Sequence, residues 1–247
     1  MHWITTFQPK LVTLILVLAG IFLEWRKGYF KKAPFYLRQL KPVPLLGKLA
    51  LFSCLALALS FSDPSLLKTV QGFQHPLIDR IIDFGGALGR NINPWLLIMI
   101  GYLLGLALPK IPFSEKAFGT LLSAALAALS ASVLKFTLLR ARPYGELGPF
   151  SFFNLGGLTG DHRVFHSFPS GDVAVVAGIA GYWFYFLKKG PFRWLVWLLP
   201  LTTAVSRMTL NKHWPSDTVF PIGLGAIAGQ IIIMWETARS QNTQSKP

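Results

Sequence analysis

The sequence predicts an all-α protein: a polytopic membrane helix bundle with six core transmembrane helices and a further short apolar stretch near the N-terminus. Three observations carry this prediction. Of the 247 residues, 52% are hydrophobic and only 14% charged, with a mean hydropathy of +0.48, which is too apolar for a water-soluble domain. The apolar residues gather into runs approaching the roughly 20 that a spanning helix needs. The formal charge is +14, yet the basic residues fall in short segments between those runs. That is a membrane topology signal, and no nucleic-acid partner is predicted. A single cysteine, Cys54, excludes an intramolecular disulfide and a cysteine-rich metal site, and reads as a packing residue in its apolar run. The first apolar stretch is not followed by a small-residue cleavage site, so no removable signal peptide is predicted.

Residues 1–48 comprise a membrane-associated helix and a basic loop. The apolar run 11–23, closed by Glu24, Trp25 and Arg26, is either a short spanning helix or one lying in the interface. Between 26 and 48 stand Arg26, Lys27, Lys31, Lys32, Arg38, Lys41 and Lys48 with no acidic residue, which places this loop in the cytoplasm. The transmembrane domain, 49–235, opens with the run 49–61. Over 62–93, Asp63, Asp79 and Asp83 balance Lys68, Arg80 and Arg90. There Leu66, Val70, Phe73, Leu77 and Ile81 recur at three- and four-residue steps, as in an amphipathic interfacial helix. The cluster Gly85-Gly86-Ala87-Leu88-Gly89 follows no strand pattern and reads as a turn, not a phosphate loop. The span 94–109 opens on Pro94, suited to a first helical turn.

The span 117–139 is rich in small residues: Gly119, Ser123, Ala124, Ala127, Ala128, Ser130 and Ala131. Such residues let neighbouring helices approach closely, so this helix is predicted to be central. It ends in Lys135, Arg140, Arg142 and Pro143. A polar connection, 144–170, leads to the spans 171–187, 194–210 and 217–235 and then to a cytoplasmic tail, 236–247. With 26–48 inside, the six runs alternate so that 110–116, 188–193 and the tail also fall inside. The end of 117–139, the loop 144–170 and the stretch 206–217 then meet on the outer face.

Lys135, Arg142 and Arg207 bring three cations to that face without a matching number of carboxylates, which describes a site for an anion. Guanidinium forks fit phosphate oxygens, and lysine adds a point charge. Phe168-Pro169-Ser170-Gly171 precedes an apolar helix. Serine is a good N-cap there, and the free N–H groups of a helix start bind anions. His213 and Asp217 are four apart, so a helical turn would put them on one face, the carboxylate orienting the imidazole.

Together these segments resemble the signature of the type 2 phosphatidic acid phosphatase (PAP2) family of membrane lipid phosphatases. Its first part, Lys, six residues, Arg-Pro, stands as Lys135 to Arg142-Pro143. Its third part, Ser-Arg, five residues, His, three residues, Asp, stands as Ser206-Arg207, His213 and Asp217. The second, Pro-Ser-Gly-His, stands as Pro169-Ser170-Gly171-Asp172 and departs at its last position. The resemblance covers 117–235, and the six-span arrangement extends it to about 49. It implies that His213 is the nucleophile, forming a phosphohistidine, with Asp217 orienting it. It also implies that Lys135, Arg142, Arg207, Ser170 and the Gly171 N–H hold the phosphoryl oxygens, and that neither metal nor other cofactor is needed. The family's leaving-group acid is the histidine replaced here by Asp172. A carboxyl group can do this work when burial raises its pKa, while nearby cations oppose that. Alternatively His166 or His162 supplies the proton, Asp172 only orients water, or turnover is lost and the protein only binds lipid phosphates.

The resemblance further implies an inner-membrane, multi-pass enzyme with its active site facing the periplasm, surrounded by membrane lipids and acting on a lipid phosphate. Lipid A or a related glycolipid is favoured, then undecaprenyl diphosphate; phosphatidylglycerol phosphate and phosphatidic acid are the other family substrates. A lipid phosphotransferase is the remaining alternative.

Overall fold

A computed structural model describes residues 18–26, 28–30, 42–73, 75–90, 93–108, 113–153, 164–187 and 190–244. Their regular structure is entirely helical: α1 (18–26), α2 (Pro42–Ser60), α3 (Asp63–Gly72), α4 (Pro76–Leu88), α5 (Asn93–Ala107), α6 (Phe113–Leu138), α7 (Gly171–Phe186), α8 (Leu198–Thr209) and α9 (Pro215–Gln244). Short 3₁₀ turns occupy Pro143–Gly145 and Pro191–Trp197. By length and composition α6 and α9 can each cross a membrane. A third span results if α2 and α3, bent by 79° at their junction, are one broken span. α5 and α7 are apolar but only 15 and 16 residues long. The run 194–210 divides into the second 3₁₀ turn and the 12-residue α8.

The core is a triangle of α6, α7 and α9, with α5 laid on α6, α2 on α9, and α8 on α7 and α4. Small residues make this possible, as predicted for the central helix. Ala124, Ala127 and Ala131 are fully buried, and Ser123 donates a 2.7 Å hydrogen bond to the Gly178 carbonyl of α7. On the other side of α7, a Cβ at Gly229 would fall on the Gly181 carbonyl carbon, and one at Gly225 on Ala177. The α7 and α9 backbones are therefore in direct contact.

Several details correct the sequence reading. The glycine cluster is not a turn: Gly85 and Gly86 lie within α4 and Gly89 caps it. They are small because α8 presses there, Gly85 meeting Thr202, Gly86 meeting Ser206 and Gly89 meeting Thr203. The series Leu66 to Ile81 is interrupted between α3 and α4. Leu66, Phe73, Leu77 and Ile81 point outward, as membrane-facing residues do, while Leu67 and the glycines face the bundle. Cys54 is exposed on α2, not packed. Glu24, in the last turn of α1, is buried and accepts the Tyr102 hydroxyl at 2.8 Å. α2 starts at Pro42, and α9 continues through the predicted tail to Gln244.

At the far end of α6 and α9, Glu236 gathers the hydroxyls of Tyr182 (3.0 Å) and Tyr29 (3.4 Å) and the Lys116 ammonium (3.2 Å). Tyr29 and Lys116 line a cavity of about 420 Å³ there. Residues 11–17 and most of 27–41 lie outside the described residues, as does His162.

Candidate active site

The chain direction alone brings the predicted residues together. α6 ends where α7 and α9 begin and where α8 ends, so one pole of the bundle carries two helix N-termini. Beyond α6 the chain is held extended by backbone hydrogen bonds. Ala141 N–H reaches Ser151 O (2.8 Å), Arg142 N–H reaches Val164 O (2.8 Å), and Ser167 N–H reaches Arg140 O (3.0 Å). The Trp214 indole N–H closes on Ala141 O at 3.0 Å.

α8 ends in a tight turn in which Asn211 takes a left-handed conformation (φ 55°), tolerable for asparagine. Lys212 N–H returns to Arg207 O at 3.0 Å. The turn delivers His213 one residue before Trp214, whose N–H is accepted by Asp217 Oδ2 at 2.8 Å, the backward arm of a capping box. His213 Nδ1 lies 3.7 Å from Asp217 Oδ2, within ion-pair range but longer than a hydrogen bond. Asp217 instead spends its oxygens on Arg140 Nη1 (2.5 Å), the Ser167 hydroxyl and Trp214 N–H.

Around His213 stand the predicted anion-binding groups. Arg207 is buried, donates from Nη2 to Gly86 O (3.1 Å) and pairs through Nη1 with Asp172 Oδ2 (3.4 Å). Arg142 donates to His166 O at 3.3 Å. The His166 ring packs edge-on against Phe136, beside Lys135 on α6. Lys135 Nζ lies 3.6 Å from where a Cβ of Gly171 would stand, which places the ammonium at the start of α7. Ser170 occupies the N-cap position, but its side chain does not cap the helix. Its N–H donates to the Asp217 carbonyl at 2.9 Å, and its buried hydroxyl has no partner. Arg142 Nε, Arg207 Nε and His213 Nδ1 are likewise buried without a hydrogen-bond partner. Such groups are rare in folded proteins; those on Ser170, Arg142 and Arg207 mark a place suited to acceptor oxygens, while His213 Nδ1 faces Asp217. Among the described residues no group of His, Cys, Asp or Glu is placed to hold a metal ion.

Burial pushes the His213 imidazole down to about 4; the Arg142 and Lys135 charges act in the same direction and Asp217 partly opposes them. The ring is thus neutral, as a nucleophile must be, throughout the physiological range. As pH falls from the unfolded value of 6.5, the unfolded chain takes up this proton before the folded one. The His213 contribution is therefore intact above about pH 6.5 and is lost progressively towards pH 4. In kcat/KM of the free enzyme, the acid limb due to His213 is expected near pH 4. A limb at pH 6–7 tracking this residue in variants would contradict the buried setting.

A family model for the PAP2 superfamily matches residues 116–241, slightly more than half of the chain. The chain belongs to the PAP2 superfamily. Among solved structures it resembles the first transmembrane PAP2 type phosphatidylglycerolphosphate phosphatase from Bacillus subtilis (22% identity, TM-score 0.57). That alignment covers 83% of this chain and 98% of the other. It also resembles Aquifex aeolicus LpxE (22% identity, TM-score 0.51), over 69% of this chain and 94% of the other. No curated protein matches it. These two solved structures share its helical fold.

The matched PAP2 region contains all three motif segments, but part of the site lies outside those motifs. Arg140, Ser167 and Ser216, all fully buried, surround Asp217, and Asp63 reaches them from the start of α3. By sequence, Arg140 is one more cation at a helix end and Asp63 one charge in an interfacial segment. No local pattern joins them, since 77 residues separate the pair. Arg140 alternates with Arg142 along the extended segment, and only the fold turns one inward and leaves the other beside His213.

Proposed function

We propose that this protein hydrolyses a lipid phosphate through a phosphohistidine on His213, at the outer face of a bacterial-type inner membrane crossed by six helical runs. The observation that carries the reading is the buried His213, its Nδ1 facing Asp217, set among the unpartnered donors of Ser170, Arg142 and Arg207. In the first step His213 attacks phosphorus and the lipid oxygen departs. Arg142, Arg207, Lys135, Ser170 and the α7 N-terminus take the charge growing on the phosphoryl oxygens. In the second, water attacks the phosphohistidine and frees phosphate and His213.

Asp172 stands salt-bridged to Arg207 at 3.4 Å, which suits it to take a proton from that water more than to give one to a leaving group. A substrate whose leaving oxygen carries negative charge well then fits best. The anomeric phosphate of a glycolipid of lipid A type has that property more than a simple alkyl phosphate, and family resemblance favours it. A diphosphate lipid such as undecaprenyl diphosphate, whose departing phosphate carries charge better still, is the second reading. Its support is the ammonium of Lys212, held below the usual lysine range by burial and by the neighbouring Arg207, Arg90 and Arg142. Those cations would meet a second phosphate.

Phosphate release by the purified protein from lipid A, undecaprenyl diphosphate, phosphatidylglycerol phosphate and phosphatidic acid tests this. Turnover of the first two well above the last two is expected, with Asp172→Asn slowing turnover far more than it weakens binding. Equal turnover of phosphatidic acid would sink the leaving-group argument. Loss of activity in His166→Ala with Asp172→Asn unaffected would move the proton role to His166.

A further inference from the structure

Asp63, Arg140, Ser216 and Asp217 are fully shielded from solvent and form one closed network. Arg140 donates through Nη1 to Asp217 Oδ1 (2.5 Å) and Ser216 Oγ (2.7 Å), through Nη2 to Asp63 Oδ2 (2.7 Å), and through Nε to Pro149 O (2.7 Å). Asp63 accepts the Ser216 N–H (2.9 Å) and hydroxyl (2.5 Å), so it also caps the N-terminus of α9. The Phe152 ring lies 5.1 Å from the guanidinium. Two carboxylates thus share a single arginine, and the network holds one negative charge in excess.

That excess has a consequence for His213. Were Arg140 paired with Asp217 alone, the two charges would cancel and leave little attraction for a cationic ring. With Asp63 drawing on the same guanidinium, Asp217 keeps net negative charge, and its Oδ2 faces Nδ1 of His213. The imidazole is neutral at rest and gains positive charge as Nε2 bonds to phosphorus. That new charge faces the buried excess directly, so the network favours the phosphorylated state over the resting one.

We infer that Asp63 and Arg140 are positioning residues of the phosphatase reaction, Arg140 fixing the aim of Asp217 and Asp63 preserving its charge for the phosphorylated His213. This rests on the phosphohistidine reading. A mere tie between α3, the segment after α6, and α9 is the competing explanation, and a double-mutant cycle separates the two. Asp63→Asn keeps the size and the acceptor for Ser216 N–H but removes the charge.

In Asp63→Asn, kcat is expected to fall about tenfold with KM little changed. The loss should sit in the phosphorylation step of a single-turnover, quenched reaction. Added to Asp217→Asn, the change should cost less than twofold further, because Asp63 acts through Asp217. Asp63→Glu should recover part of the lost rate. Rates are referred to the folded fraction, measured by size-exclusion chromatography in detergent. Multiplicative losses in the double variant would overturn the inference, as would a lowered melting temperature with unchanged kcat in the folded fraction. A wild-type protein that releases phosphate without labelling His213 would overturn the phosphohistidine reading and this inference together. Labelled wild type with multiplicative losses overturns this inference alone.

Discussion

Replacing His213 by alanine is expected to lower phosphate release by on the order of 10⁴–10⁶-fold, as when a covalent nucleophile is lost from a preformed site. Lipid binding should change far less. Lys135, Arg142, Arg207 and Ser170 come from three other helix ends and do not lean on the imidazole. The imidazole itself makes no hydrogen bond through Nδ1, so its removal breaks none there. Phosphate release on the favoured lipid, together with equilibrium binding of the same lipid, measures both. A variant that keeps a tenth of wild-type turnover would mean that another group attacks phosphorus. A variant that no longer binds would mean that His213 is structural.

The largest effect on stability is expected in the packing of α7 on α9. A Cβ added at Gly229 would land on the Gly181 backbone, and backbone cannot swing aside as a side-chain tip can. Gly229→Ala must therefore push two central helices apart, at a cost of about 1–3 kcal/mol or more. The same substitution at Gly47 meets nothing within 4 Å. There alanine removes backbone freedom from the unfolded chain and is expected to be neutral or stabilising by roughly 0.5–1 kcal/mol. Thermal unfolding of the two variants in one detergent makes the comparison. Equal melting temperatures would show that α7 and α9 do not touch along their glycines. α7 carries Ser170 and Gly171 at its start and α9 carries Asp217 near its own. Gly229→Ala should therefore also loosen the site from near the other end of the bundle.

Much of the site was legible because its chemistry is written in short, fixed spacings. Lys135 and Arg142 flank one helix end, Ser170-Gly171 starts another, and Arg207, His213 and Asp217 straddle one turn. Charge alternation in the loops was enough to expect these pieces at one pole, and there they lie. The small residues of α6 announced a central helix for a physical reason, since close approach needs them on any partner. The same close approach operates at Gly85, Gly86 and Gly89. Glycines in a short segment read as a turn unless the threonines and serine of α8 are known to press against them. The run 194–210 read as one helix because apolar composition does not distinguish a 3₁₀ turn from α-helical turns. Arg140 and Asp63 were illegible as a pair. Each looks like an ordinary charge at the edge of an apolar run, and only the fold buries both against Asp217.

Asp172 also changed meaning between sequence and fold. As a departure from the family motif it posed a question about the missing acid. Its pairing with Arg207 suits it to the base of the proposed second step, and on that proposal the leaving oxygen of the substrate carries its own charge.

Trapping the covalent intermediate tests the central claim most directly. The purified protein is mixed with a phosphate-labelled lipid, quenched within a turnover in alkali, where a phosphoramidate survives, and digested for peptide mapping. The label is expected on the peptide containing His213, discharged by acid, and absent in His213→Ala. Phosphate release at the wild-type rate with no labelled histidine at any quench time, or label on another residue, would contradict it.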